Sequence, residues 1–96
     1  MTKFNYRPLP KGVTIGNSTI QGLGLFSTTL FSTNTILGIS HWIVDYAIIR
    51  TPLGGFVNHS LKPNCELVEN GNQYILRTLR NILPNEELTV RYSLEQ

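Results

Sequence analysis

The run Gly54-Gly55-Phe56-Val57-Asn58-His59-Ser60-Leu61-Lys62-Pro63-Asn64-Cys65 decides how this chain is read. It begins apolar and flexible and turns abruptly polar at Asn58. Phe56-Val57 is a poor lead into a solvated loop, and Pro63 has no N–H to give the ladder of a central strand. The run therefore predicts a buried strand end passing into an irregular, heavily hydrogen-bonded turn. Polar groups converging beside apolar ones are what a small-ligand pocket needs. A structural turn capped by Asn and Ser accounts for the same residues, since both are ordinary turn formers.

Outward from this run, every apolar stretch is short and stops at a turn residue. Val13-Thr14-Ile15 is a strand candidate before the turn Gly16-Asn17-Ser18, and Leu25-Phe26 follows Gly22-Leu23-Gly24. Ser32-Thr33-Asn34 precedes the run Thr35 to Ile39, and His41 to Arg50 is one β-branched and aromatic run. Asn70-Gly71 is the strongest hairpin signal. It separates Glu66 to Glu69 from Gln73 to Arg80. Pro84-Asn85 turns the chain into a last strand, Glu86 to Tyr92. No stretch holds a 3.6-residue apolar period, and turns recur about every ten residues, so the expectation is an all-β domain. Residues 1 to 10, with Pro8 and Pro10, read as an N-terminal arm, and 11 to 96 as one domain.

Size and composition set the limits. Ninety-six residues bury roughly 60–65% of their unfolded surface, enough for one modest core. With 41% hydrophobic and 15% charged residues, the chain reads as globular rather than disordered. A net charge of +2, spread along the chain, gives no reason to expect a nucleic-acid partner. No apolar run is long enough for a membrane span, and Met1 to Arg7 lacks a signal-peptide core. Cys65 is the only cysteine, so no internal disulfide forms and no Cys/His cluster suggests zinc. An intracellular location is the default, and the sequons at Asn17 and Asn58 read as chance matches.

Two further constellations stand out. Gly22-Leu23-Gly24 would let backbone approach a ligand closely, or simply turn the chain between two strands. A dinucleotide fingerprint needs a third glycine where Ser27 stands, then a long helix. Glu86-Glu87-Leu88-Thr89-Val90-Arg91-Tyr92 reads alone as an edge strand with both carboxylates solvated and Tyr92 half-buried, its hydroxyl wet.

Taken in order, Gly22-Leu23-Gly24-Leu25-Phe26-Ser27, Gly55 to Cys65 with its Asn-His-Ser…Pro-Asn element, and Asn85 to Tyr92 resemble the glycine-rich, NHSxxPN and EELTxxY motifs of the SET domain family. The resemblance covers about residues 12 to 92 and is most like the small stand-alone SET proteins of viruses and phages. It implies a β-clip fold of several small sheets with a C-terminal pseudoknot-like threading. It also implies methyl transfer from S-adenosylmethionine to a protein lysine admitted through a narrow channel. By motif match, Gln21, Gly22, Leu23 and Gly24 hold the cofactor with Asn58 and His59, and Tyr92 is the catalytic tyrosine. Tyr46 is a weaker candidate for the channel wall, with a packed strand aromatic as its alternative, and no metal is implied. The family's cysteine-rich zinc segment has no counterpart after Tyr92. The channel is then open on one side, filled by Phe4 and Tyr6, or completed by a second chain in a homodimer. A non-catalytic binding module, a cofactor-binding relic on the same scaffold, is the competing function.

Overall fold

The computed structural model describes residues 8–92. Strands β1 (Val13–Asn17) and β2 (Leu23–Ser27) pair as one hairpin, and β3 (Ile36–Val44) and β4 (Ala47–Arg50) as a second. A short helix α1 (Pro52–Phe56) leads into the two-residue strand β5 (Asn58–His59). Strands β6 (Cys65–Asn70) and β7 (Gln73–Thr78) form the third hairpin, and β8 (Glu87–Val90) follows. Two four-stranded sheets result, ordered β1-β2-β8-β5 and β4-β3-β7-β6. Among the described residues every strand pairing is antiparallel except β5 with β8. The all-β expectation holds, with one short helix inserted.

Local chemistry explains where sequence and structure part. The β6–β7 hairpin forms as expected, but Asn70 pairs with Gln73, so the two-residue loop is Gly71-Asn72 with Gly71 at φ +65°. The run His41 to Arg50 is not one strand. Asp45 and Tyr46 both have positive φ, 49° and 67°, and Val44 pairs with Ala47, the arrangement of a type I′ turn. That turn favours Asn and Gly, and with neither present it gave no signal.

The apolar start of Gly54 to Cys65 is likewise helix, not strand end. Thr51 caps it by accepting from Gly54 N–H at 3.3 Å, and Pro52 stands at the first turn, where its missing N–H costs nothing. A β-carbon on Gly54 would run into the Ser40 carbonyl, so only glycine lets the helix seat this closely on β3.

The core draws on both sheets and on α1. Leu25, Leu53, Leu76, Ile82, Leu88 and Val90 are fully buried, with Cys65 among them. Burial pushes the Cys65 thiol up to about 12, leaving it protonated and unreactive. Of the expected N-terminal arm, residues 1–7, including Phe4 and Tyr6, lie outside the described residues, while Leu9 packs against the core.

Asn64 is buried and serves β8 as a strand partner. Its Oδ1 accepts from Thr89 N–H at 2.9 Å, and its Nδ2 donates to the Glu87 carbonyl at 2.8 Å. Asn64→Ala strands both groups and should cost about 3 kcal/mol, read as a lowered urea midpoint. A second expectation concerns pH. His41 is buried, with Nδ1 2.8 Å from Ser40 Oγ, and burial, helped by the Arg50 charge, lowers its pKa. The unfolded chain therefore takes up this proton more readily, so stability should fall as pH drops through about 6.5. Urea titrations at pH 7.5 and 5.5 should show that loss diminished in His41→Gln.

Candidate functional site

The site begins with the parallel pair β5–β8, in which Asn58 faces Thr89 and His59 faces Val90. Ser60 N–H adds a bond to the Val90 carbonyl at 2.8 Å. This register carries the chain beyond β8 directly past His59. Tyr92 N–H donates to His59 Nδ1 at 3.0 Å, and the two rings stack with centroids 6.4 Å apart and planes 18° apart. With Nδ1 accepting, the proton of a neutral His59 ring belongs on Nε2.

The Tyr92 hydroxyl lies 3.2 Å from the Gly54 carbonyl and 3.2 Å from the Val57 carbonyl. Both oxygens accept only, so the phenol gives its single proton to one or the other. Burial raises the phenol's pKa against the opposing pull of the Arg50 charge. It is a neutral donor at physiological pH.

On the other side of the same corner stands the 18–24 turn. Ser18 N–H bonds the Gly22 carbonyl at 2.8 Å, and Ser18 Oγ accepts from Ile20 N–H at 2.9 Å. That hydroxyl donates to the Glu87 carboxylate at 2.8 Å. Asn58 Nδ2 lies 3.2 Å from the Gln21 and Leu23 carbonyls and 2.9 Å from Glu87 Oε2. Gly22 has φ +48° with open space where a side chain would stand. Gly24 is different, because a β-carbon there would run into Glu87 Oε2 and sit 3.0 Å from Asn58 Nδ2. The second glycine makes room for two side chains of this protein.

The structure thus gathers Gln21, Gly22, Leu23, Gly24 and Asn58 at one corner, with His59 and Tyr92 adjoining. Tyr46 is elsewhere, fully exposed on the β3–β4 turn, and among the described residues no hydrogen bond or ring contact ties it to Tyr92. Ser18, Glu87 and the carbonyls of Gly54 and Val57 were not singled out from sequence. Strand alternation was the available signal for Glu87, because it sets the two carboxylates apart. Glu86 pairs with Arg80 at 2.8 Å and accepts from Leu83 N–H at 2.6 Å, contacts that hold its carboxyl below the usual range. Glu87 turns inward to Ser18 and Asn58 instead of being solvated.

An open groove of about 350 Å³ lined by Thr14, Gly16, Asn17, Phe26, Ser27 and Asn85 takes in none of these site side chains. Among the described residues no group of three His, Cys, Asp or Glu side chains could hold a metal ion, and no helix is long and apolar enough to cross a membrane.

Comparison with known proteins bears on the family and the fold. The SET domain family model matches residues 37–93. Histone-lysine N-methyltransferase Suv4-20 of Caenorhabditis elegans is 38% identical over 42 residues, 44% of this chain and 15% of that protein. Histone-lysine N-methyltransferase SMYD3 of Mus musculus is 46% identical over 41 residues, 43% of this chain and 10% of that protein. The chain therefore spans only a small part of the length of these relatives. Among solved structures, a Plasmodium falciparum chain superposes with a TM-score of 0.75 at 22% identity, covering 91% of this chain and 97% of that one. The methyltransferase domain of human PR domain-containing protein 2 gives 0.70 at 21% identity, covering 92% and 81%. Two small sheets, one of them closed by the parallel β5–β8 pair, a family match over more than half the residues and agreement in fold lead to one assignment: this chain belongs to the SET domain family.

Proposed function

We propose that this chain transfers a methyl group from S-adenosylmethionine to the side-chain amine of a protein lysine inside the cell. The observation that carries the reading is the neutral Tyr92 phenol, set between two main-chain carbonyls and stacked beside the Asn58–His59 corner.

The donor set suits a cationic ligand with an amino-acid end. Among the described residues nothing donates to Asn58 Oδ1, which leaves an acceptor for an ammonium, and the space beside Gly22 is open. Gln21, Gly22, Leu23 and Asn58 would hold the cofactor with the main chain of His59, whose ring is taken up by Tyr92, while the space at Gly24 is taken up by Glu87. When bound, S-adenosylmethionine supplies an electrophilic methyl on a positively charged sulfur.

The chain's own residues then have two tasks. The first is orientation. Tyr92 Oη gives its proton to Gly54 O or Val57 O, so its lone pairs face outward to accept an N–H of the incoming amine. The second is electrostatic. Three oxygens of partial negative charge favour positive charge passing between sulfur and nitrogen, and they are fixed in place before the reaction. The nucleophile must be an uncharged amine, whereas free lysine has a pKa of about 10.4. A partly desolvated site beside a cation disfavours the ammonium, which loses its proton to solvent before attack. No carboxylate base at Tyr92 is needed for that step. Tyr46 on its exposed turn takes no part in this reading.

Tyr92→Phe should lower turnover about a hundredfold while S-adenosylmethionine affinity changes little. Peptide methylation followed by mass spectrometry and calorimetric titration of the cofactor check the two halves, and parallel losses in both would mean that Tyr92 is only structural. Asn58→Ala should do the reverse, weakening cofactor binding about tenfold or more at nearly unchanged saturated turnover. Unaltered affinity would remove Asn58 from the binding set.

A further inference from the structure

Glu87 has no part in the reaction outlined above, yet it stands at the Asn58 corner. Its carboxylate accepts from Ser18 Oγ at 2.8 Å and from Asn58 Nδ2 at 2.9 Å, joining side chains far apart in sequence. An ionised carboxylate accepts and cannot donate, so it fixes which end of the Asn58 amide faces it. The nitrogen must point to Glu87, and the same nitrogen then reaches the Gln21 and Leu23 carbonyls. Oδ1 is thereby turned the other way. Ser18 closes the arrangement, since the oxygen that donates to Glu87 also accepts from Ile20 N–H and Gln21 N–H. Both ends of the turn are held by one carboxylate, and Gly24 leaves the space that the carboxylate fills.

We propose that Glu87 is a positioning residue that, through Asn58 and Ser18, sets the shape of the 18–24 turn and the facing of the Asn58 amide for the methyl donor. This rests on the reading that the corner binds S-adenosylmethionine. It assigns Gly24 to the carboxylate rather than to the ligand.

The test is a set of variants in the full chain: Glu87→Gln, Glu87→Ala, Gly24→Ala and the pair Gly24→Ala with Glu87→Ala, with Ser18→Ala in reserve should Gly24→Ala not fold. Glu66→Gln, which breaks the Arg77 pair on the other sheet, is the control. Calorimetry with S-adenosylmethionine should show affinity weakened about tenfold in each of the first three variants and unchanged in the control. Turnover at saturating donor should stay within about twofold, a split that general destabilisation would not give. Amide hydrogen exchange should accelerate at residues 18–24 and not in β6 or β7. The pair should be no worse than Glu87→Ala alone, because Gly24→Ala has nothing left to displace. Unchanged affinity or unchanged exchange in Glu87→Gln overturns the proposal, as do losses that add in the pair. A wild-type chain that does not bind S-adenosylmethionine overturns the functional reading itself, and the role of Glu87 toward the donor with it.

Discussion

The parallel contact between Asn58-His59 and Thr89-Val90 is the constraint on which the rest depends. A parallel pair of two residues is weak, since its hydrogen bonds slant and are few. Here it is extended by groups outside the strand. Ser60 N–H bonds Val90, and the buried Asn64 side chain gives β8 both an acceptor and a donor. Strand β8 is thus held by β2 on one edge and by β5 with Asn64 on the other. Because neither edge is free, the chain beyond β8 has a fixed exit, and Tyr92 arrives at His59 with its hydroxyl toward α1 while its surface stays 38% exposed.

The short helix makes a second contribution. The last carbonyls of any helix lack intrahelical partners. In a helix of five residues that shortage reaches almost the whole element. Thr51 anchors the start through Oγ1, which donates to the Ile39 carbonyl at 2.7 Å, and Gly54 lets the element press onto β3. The orphan oxygens near its end, Gly54 O and Val57 O, are the two that meet the Tyr92 hydroxyl. A structural shortage of donors and the acceptor-rich setting of the phenol are therefore the same feature.

What could be read from sequence followed the range of the interaction. Asn70-Gly71 marked a hairpin because a two-residue loop is settled locally, and the loop is displaced by one residue only. The Asp45-Tyr46 turn was hidden because those residues adopt positive φ under the pull of the pairing around them, from His41–Arg50 to Val44–Ala47. Pro52-Leu53-Gly54-Gly55-Phe56 carries no helix propensity to speak of. Its helix depends on the Thr51 cap and on contact with Ser40. Asn58, His59 and Tyr92 were legible as motif residues with roles, whereas Glu87 stood in the motif without its inward contacts and Ser18 stood outside it. Their bond spans 69 positions, so strand alternation could turn Glu87 inward but could not name Ser18 as its partner.

The adjacency of Asn58 and His59 also has a geometric reason. Successive side chains of a strand point to opposite faces. Asn58 accordingly turns to the 18–24 turn and Glu87, while His59 turns to the Tyr92 ring. On the proposed reading, one face receives the methyl donor and the other guides the acceptor amine, with a single two-residue strand between them. Inserting a residue between Asn58 and His59 would bring both side chains to one face and uncouple the turn from the phenol. On that reading the dipeptide must be contiguous, so that the Asn58 side chain serves the donor while the His59 ring serves the phenol.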